Sequence, residues 1–190
     1  MSSLKADFDE LMERIKQGRE FAAASFEPIF YLVFPPNQIL NVKRETRAWV
    51  HRLANEGWEV VSFSIAEHIA DIIAKAPLRK LWLTADQKAP LAWAKTNSSL
   101  ANAVRNGALQ ERIEAQLQAL EGKPKAILIV TDLEALHPYA RIGEIEGKLM
   151  GKFHVPTVFL YPGMRTGKTR LKFLGFYPDD GNYRSVHVGG

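Results

Sequence analysis

The sequence predicts an α/β fold of three layers, in which a largely parallel sheet is covered by helices on both faces. Residues 29–34, 126–130 and 157–161 form continuous apolar runs, which are typical of strands buried on both faces of a parallel sheet. Segments with helical periodicity separate these runs, and such alternation favours parallel strands. A further strand, predicted over residues 171–177 after a glycine-containing turn, adds a C-terminal antiparallel hairpin.

The length and composition favour one folded domain that spans residues 1–190. A hydrophobic content of 46% excludes general disorder, and 190 residues are enough to bury a substantial core. The chain has no cysteine, which excludes disulfides, thiolate zinc sites and cysteine nucleophiles. The N-terminus lacks the apolar core of a signal peptide, and no segment reaches roughly 18 uninterrupted apolar residues. We therefore expect a cytoplasmic protein that does not engage a membrane.

The N-terminal part begins with an amphipathic helix within residues 1–20. Its apolar side chains recur at helical spacing, and they are Leu4, Phe8, Leu11, Met12 and Ile15. The strand at residues 29–34 ends at Pro35-Pro36. A second helix follows up to Gly57, with its apolar face at positions 42, 46, 49, 50 and 53.

The alternation continues with a strand over residues 58–63. Ser64 can cap a helix over residues 65–74, and Glu67 completes a capping box three residues later. The first half of the chain is therefore predicted as helix, strand, helix, strand, helix.

The middle of the chain is ambiguous between strand and helix. Residues 81–84 fit either a short strand or part of a helical segment. One long helix is predicted from residue 98 or 99 up to Gly122. The remaining elements are a strand at residues 126–131, a helix around residues 141–151 and the strand–hairpin motif of residues 156–190.

The sequence predicts no phosphate-binding loop. Gly163 and Gly167 are separated by three residues and lead into a strand, whereas a phosphate loop has four and joins a strand to a helix. Pro35-Pro36, after the first strand, would remove N–H groups that bind phosphate. Asp132 follows a central strand, at the position of a metal-side carboxylate in a nucleotide hydrolase. Two interpretations stay open: a nucleotide-hydrolase-like fold that lacks its phosphate loop, and an unrelated α/β sheet.

One polar cluster follows the central strand and consists of Asp132, Glu134, His137 and Arg141. These residue types could supply a base, a metal ligand or a patch that faces a partner. Alternatively, Asp132 caps the next turn and the other side chains are solvated. The histidines of the chain form no metal-binding or triad spacing, so we predict no catalytic residue, metal ligand or cofactor.

A second cluster is the basic turn formed by Arg165, Lys168, Arg170 and Lys172. Strand alternation places Arg170 and Lys172 on one face and their apolar neighbours on the other. Such a cluster attracts an acidic protein or nucleic-acid phosphates through contacts that weaken as the salt concentration rises. We favour a protein partner over nucleic acid, because no aromatic side chains are interleaved with these cations.

Three motifs lie in the last third of the chain: VFLYPG at residues 158–163, LKFLG at residues 171–175 and DGNYRS at residues 180–185. Together they resemble the signature of the BrxB family, which belongs to the BREX phage-defence system of bacteria and archaea. Residues 127–139 are similar to the same family, as is the N-terminal order of helix, strand and Pro-Pro.

The resemblance implies a small BREX component without established catalysis, which works beside the ATPase BrxC, the phosphatase-like PglZ and the methyltransferase PglX. We therefore expect a scaffold or adaptor that contacts PglZ or BrxC, with PglX as a further candidate. Two alternatives remain: a nucleic-acid-binding module that uses the basic C-terminal third, and a nucleotide-binding enzyme that uses Asp132. The candidate interaction surface comprises Asp132, His137, Arg141, Tyr161, Gly163, Arg165, Lys168, Arg170, Lys172, Tyr183 and Arg184.

Overall fold

The structure is a computed structural model that describes residues 3–20, 27–167, 170–181 and 185–190. The helices are α1 (Leu4–Glu20), α2 (Ile39–Asn55), α3 (Ile65–Lys75), α4 (Arg79–Lys88), α5 (Ala94–Arg105), α6 (Ala108–Leu120) and α7 (Ile142–Lys148). The strands are β1 (Ile29–Phe34), β2 (Glu59–Ser64), β3 (Ala126–Thr131), β4 (Thr157–Arg165), β5 (Arg170–Phe173), β6 (Asp179–Gly181) and β7 (Val186–Gly189). Short 3₁₀ turns at Pro36–Gln38 and Leu133–Leu136 follow β1 and β3.

The main sheet is parallel and has the strand order β2-β3-β4-β1-β7. The end of β4, from Gly163 to Arg165, pairs antiparallel with β5, and β5 pairs antiparallel with β6. The predicted α/β fold, with its largely parallel sheet and C-terminal hairpin, is therefore confirmed. The boundaries of the hairpin differ from the prediction, because β4 continues past residue 161 to Arg165 and the strand predicted over residues 171–177 ends at Phe173. The chain then returns as β7 to the edge of the main sheet, beside β1.

Helices cover both faces of the main sheet, as the sequence predicts. α1 and α2 pack on one face, where the rings of Phe8 and Trp49 stack with their centroids 4.3 Å apart. α3, α5, α6 and α7 pack on the opposite face. Among the described residues, no helix has the length and apolar character needed to cross a membrane.

The central strand β3 is interior and buried on both faces, which confirms the prediction from its apolar run. Ile127 and Ile129 join the core under α1 and α2, whereas Leu128 and Val130 join the core under α3 and α6. The two cores share this strand because successive strand residues point to opposite faces.

The helical region between β2 and β3 differs from the prediction. Residues 81–84 are helical and belong to α4. The single long helix expected after residue 98 is instead two helices, α5 and α6. Gly107 separates them with a φ of +108°, a left-handed conformation that an α-helix cannot continue through. The cap predicted for α3 is confirmed, because the Glu67 backbone N–H donates to Ser64 Oγ at 3.2 Å.

The connections between strands leave a crevice at the carboxyl ends of the sheet. The helix that follows β1 lies on one face, whereas the helices that follow β2 and β3 lie on the other. In open α/β sheets, ligands bind where the connections diverge in this way.

Candidate functional site

A cleft of about 440 Å³ opens at the carboxyl ends of β1, β2 and β3, between α2 and the sheet. This volume lies within the range of small-molecule sites. Phe34, Val42 and Leu160 contribute to its apolar wall, and Lys43 and Asp132 contribute to its polar end. The cleft therefore brings Asp132, the acid that the sequence singles out, to the place where this fold class binds ligands.

Both carboxylate oxygens of Asp132 are bonded within the protein. Oδ1 lies 2.8 Å from Lys43 Nζ, and the same ammonium lies 2.8 Å from Glu134 Oε1. Oδ2 accepts hydrogen bonds from Ser64 Oγ at 2.6 Å and Thr131 Oγ1 at 2.8 Å. The backbone of Asp132 is left-handed, with a φ of +59°. This residue makes no side-chain capping bond to the 3₁₀ turn that follows, so the cap considered from the sequence is wrong.

These bonds fix the charge state of the cluster. Burial on its own raises the pKa of Asp132, but the hydrogen bonds from Lys43, Ser64 and Thr131 outweigh it and hold that pKa below its ordinary value. Burial likewise lowers the pKa of Lys43, but its bonds to Asp132 and Glu134 outweigh that effect and raise it. A general base works best with a pKa near the operating pH, and Asp132 is shifted in the opposite direction.

The turn after β1 is not a phosphate cradle. Pro35 and Pro36 have no N–H group. Two of the N–H groups that remain are already used, because Gln38 donates to the Pro35 carbonyl at 2.8 Å and Ile39 donates to the Pro36 carbonyl. The glycine pair at 163 and 167 lies in the β4–β5 hairpin, with no helix after it. The described part of the chain also contains no group of three or more acidic or histidine side chains that could hold a metal ion.

The polar cluster predicted after β3 is divided between two places. Asp132 and Glu134 line the cleft, whereas His137 and Arg141 pack against Tyr177 near the C-terminal hairpin. The His137 ring forms a hydrogen bond with the Tyr177 hydroxyl, and the Arg141 guanidinium carbon lies 3.3 Å from the Tyr177 ring centroid. His137 therefore contributes to an aromatic cluster with Phe176 and Tyr177.

This second region, here called the C-terminal surface, combines exposed apolar and cationic side chains. It consists of His137, Arg141, Met164, Arg165, Arg170, Lys172, Phe176 and Tyr177. The Phe176 ring is 62% exposed and stacks on Tyr177 with a centroid separation of 4.6 Å. The predicted alternation along β5 is present, because Leu171 and Phe173 are buried while Arg170 is exposed.

Beneath the C-terminal surface, two polar atoms are buried without a hydrogen-bond partner among the described residues: the Tyr161 hydroxyl and Arg141 Nη1. Tyr161 is buried on β4, where its ring packs against Phe173 with centroids 5.5 Å apart. Burial, with a smaller contribution from Asp180, raises the pKa of Tyr161, and Arg141 opposes this rise. The hydroxyl is therefore a protonated donor that the described protein leaves unused.

Gly163 has a packing role in the hairpin. A Cβ atom at this position would meet the Lys172 carbonyl oxygen of the paired strand and the Tyr161 ring. Glycine is thus required because β4 and β5 approach closely at this point. Arg165, two residues later, donates from Nη1 to the Gly189 carbonyl at 3.3 Å and so links the hairpin to β7. Three predicted surface residues, Lys168, Tyr183 and Arg184, lie outside the described residues.

A polar pair lies at the start of the last strand, where Ser185 directly precedes β7 and His187 belongs to it. Ser185 Oγ lies 2.9 Å from His187 Nε2. Burial, with a contribution from Arg165, lowers the pKa of His187 to about 4, so the imidazole is neutral at physiological pH. Its Nδ1 atom has no hydrogen-bond partner among the described residues, and no carboxylate orients it as a triad would require.

A family model described as "BREX protein BrxB" matches residues 61–188, which is more than half of the chain. The chain belongs to the BrxB family. It is therefore a component of the BREX defence system, and the resemblance found in its C-terminal motifs is confirmed. No curated protein and no solved structure matches the chain.

The BrxB match covers the two candidate regions unequally. It includes Asp132, Glu134 and the whole C-terminal surface, but it begins after Lys43 and the Pro35-Pro36 turn. The ion pair that occupies Asp132 thus joins a residue outside the BrxB match to a residue inside it.

The sequence did not single out Lys43, Phe176 or Tyr177. The sequence does contain a signal for Lys43. Lys43 directly follows Val42, which is buried in α2, and it lies near the start of the helix that follows β1, so it is close to the carboxyl ends of the strands. Phe176 and Tyr177 directly follow the LKFLG motif. Their role depends on the turn after β5, which strand alternation alone does not predict.

Proposed function

We propose that this BrxB-family protein is a non-catalytic adaptor that binds another BREX component, PglZ or BrxC, through its C-terminal surface. PglX is a further candidate partner. The observation that carries the proposal is the cluster of Phe176, Tyr177 and Met164, in which Phe176 and Met164 are exposed and Tyr177 is partly buried. The cluster lies beside the cations of β4 and β5.

The chemistry of this surface supports protein recognition. Aromatic side chains, methionine and arginine are enriched at interfaces, and tyrosine and arginine are frequent hot-spot residues. Arg141 stacks on Tyr177, so both groups are held in place before a partner arrives. Arg165, Arg170 and Lys172 then favour an acidic partner surface and fast association at low salt.

The cleft supports the absence of catalysis at Asp132. Lys43, Ser64 and Thr131 already use both oxygens of this carboxylate. The turn after β1 lacks the free N–H groups that a triphosphate requires. These contacts disfavour the alternative of a nucleotide-binding enzyme. The alternative of a nucleic-acid-binding module depends on the same basic residues as the adaptor function. An experiment is therefore needed to distinguish the two functions.

The test is co-purification of the tagged protein with all BREX components expressed together at low salt. A variant with Arg165, Arg170 and Lys172 changed to Glu should keep its circular dichroism spectrum and lose most of its partner. Reversal of Lys5, Lys16 and Arg44, which are exposed on α1 and α2, makes the same change in net charge and should recover the partner normally.

The nucleic-acid alternative predicts a different result. Tight DNA binding by the wild type at physiological salt, lost in the hairpin variant, would assign these cations to phosphate contacts. Failure of the wild type to recover PglZ, BrxC or PglX at low salt would exclude the adaptor function.

A further inference from the structure

α4 and the loop after it form an exposed projection, here called the arm (residues 77–95). Within the arm, Trp82 is the one buried residue, with 7% of its surface exposed. Its indole Nε1–H donates to Ser99 Oγ at 2.9 Å and so fixes α4 against α5. The other side chains of the arm face solvent. This arrangement differs from α6, where five residues are buried.

The exposed side chains of the arm include an unusual share of large apolar groups. Five of the nine exposed large hydrophobic residues in the described part of the chain lie here. They are Leu78, Leu81, Leu83, Leu91 and Trp93. Leu81 is 65% exposed, Leu91 is 92% exposed and Trp93 is 59% exposed. Concentrations of exposed apolar side chains on a soluble protein mark interaction sites.

The charges of the arm indicate an acidic partner. Arg79, Lys80, Lys88 and Lys95 are exposed, and Asp86 is the one acidic residue between positions 76 and 96. A second copy of the chain is a poor occupant, because an isologous contact would bring the same cations together. A partner with acidic groups around an apolar groove satisfies both the leucines and the cations.

The distribution of the leucines around α4 favours a groove over a membrane surface. Successive helix residues are separated by about 100°, so Leu81 and Leu83 project about 200° apart. A helix that lies on a membrane needs its apolar side chains on one face. A protein groove that encloses the helix, together with the loop that carries Leu91 and Trp93, can contact both sides.

We propose that the arm is a docking element that inserts into an apolar groove with an acidic rim on a partner protein. It is separate from the C-terminal surface and does not depend on the partner which that surface binds. The arm is thus a docking surface in addition to the C-terminal surface.

The experiment uses the full chain, tagged and co-expressed with the BREX components. A variant with Leu81, Leu83 and Leu91 changed to Gln should keep the melting temperature of the wild type, since these side chains are exposed in the free protein. It should recover its partner at least about tenfold less well, as expected when interface anchors are removed. Leu40→Gln is the single-site control, because Leu40 on α2 is 67% exposed, close to the 65% of Leu81, and it should recover the partner normally.

A photo-crosslinking benzophenone side chain at position 83 identifies the occupant directly. We expect a crosslink to an acidic segment of another protein. Unchanged recovery by the triple variant, a crosslink between two copies of this chain, or no crosslink would overturn the proposal. Leucine-dependent binding to phosphatidylserine-containing vesicles would overturn it in favour of a membrane. Loss of partner on reversal of the hairpin cations, with the arm variant unaffected, would leave the adaptor function standing and remove the arm from it.

Discussion

The Asp132 cleft and the C-terminal surface both lie near the carboxyl ends of strands, yet they use charged side chains in opposite ways. In the cleft, Asp132 and Lys43 are bonded to each other and to neighbouring groups. Beneath the C-terminal surface, Arg141 Nη1 and the Tyr161 hydroxyl have no hydrogen-bond partner among the described residues. In the cleft, both oxygens of Asp132 are therefore bonded, whereas two polar atoms beneath the C-terminal surface have no hydrogen bond to the described residues.

This difference is the reason why we propose the C-terminal surface, and not the cleft, as the region that binds a partner. A buried polar group without a hydrogen bond reduces stability, and the Tyr161 hydroxyl and Arg141 Nη1 are two such groups among the described residues. A carboxylate whose oxygens are already bonded can accept a new ligand when existing bonds break. We therefore favour the C-terminal surface over the Asp132 cleft as the region that binds a partner.

The largest expected effect is a loss of stability when a charge is placed in the sheet beneath the cleft. The same charge at the C-terminal surface should have little effect. Ile129→Asp places a carboxylate in the core between β3 and α2, where it finds no partner. The cost of an unpaired buried charge is several kcal/mol or more, about equal to the whole stability of a domain. We expect an insoluble or unfolded protein. Met164→Asp makes the same charge change at an exposed position and should shift the melting temperature little.

These two variants are compared by soluble yield and by thermal unfolding followed with circular dichroism. A folded Ile129→Asp variant with the melting temperature of the wild type would contradict the interior position of β3. A large loss of stability in Met164→Asp would show that the C-terminal surface is packed against the rest of the protein.

The next effect tests whether the cleft is held together by its own charges. Lys43→Met leaves Asp132 and Glu134 facing each other without a cation. Lys43 is 47% exposed, so solvent reduces the effect, and we expect a loss of about 1 kcal/mol in the free energy of unfolding by urea at neutral pH. Arg44→Met, at the next and exposed position of α2, is the control and should be neutral.

The same variant changes the dependence of stability on pH. The pKa of Asp132 is lower in the folded protein than its ordinary value of 3.8. Its contribution to stability is therefore present above 3.8 and is lost as the pH falls through the lower, folded value. Without Lys43 the folded pKa rises, so the acid-induced loss assigned to Asp132 should shrink. An identical stability profile below pH 5 in both proteins would contradict the role of Lys43.

The elements that the sequence predicts well are those whose signal is local. The continuous run of β3 predicts burial on both faces, and Ser64 with Glu67 predicts the start of α3. The sequence does not predict that the helix ends at Gly107, because glycine is tolerated within helices. The left-handed φ of Gly107 depends on how α5 and α6 pack. The return of β7 to the sheet beside β1 is a long-range pairing that no local pattern specifies.

The two candidate regions differ in the same way. Asp132 could be predicted because the carboxyl end of a buried strand is a general ligand position. Its partner Lys43 lies 89 residues earlier in the chain, and their contact depends on the placement of α2 over the sheet. His137 and Arg141 could be predicted as polar residues after β3, but their separation from Asp132 depends on the turn at Leu133–Leu136 and on the aromatic cluster at Tyr177.

An effect of similar size and opposite sign tests the buried polar groups beneath the C-terminal surface. Tyr161→Phe removes a buried hydroxyl that has no partner in the described protein and keeps the ring that packs on Phe173. We expect the free protein to gain about 1 kcal/mol in stability, measured by urea unfolding. Tyr139→Phe, at a partly buried tyrosine outside β4, is the comparison. A loss of stability in Tyr161→Phe would mean that the hydroxyl is bonded in solution.

The smallest expected effect is the absence of nucleotide hydrolysis by the isolated protein. The Lys43 ammonium already occupies the space between Asp132 and Glu134, and the Pro35-Pro36 turn offers few N–H groups to a phosphate chain. Phosphate release from ATP and GTP with magnesium should equal that of a tag-matched control. Asp132→Ala should behave identically, since it removes no working group. Hydrolysis by the wild type that disappears in Asp132→Ala, with the control inactive, would falsify this prediction and restore the cleft as the functional centre.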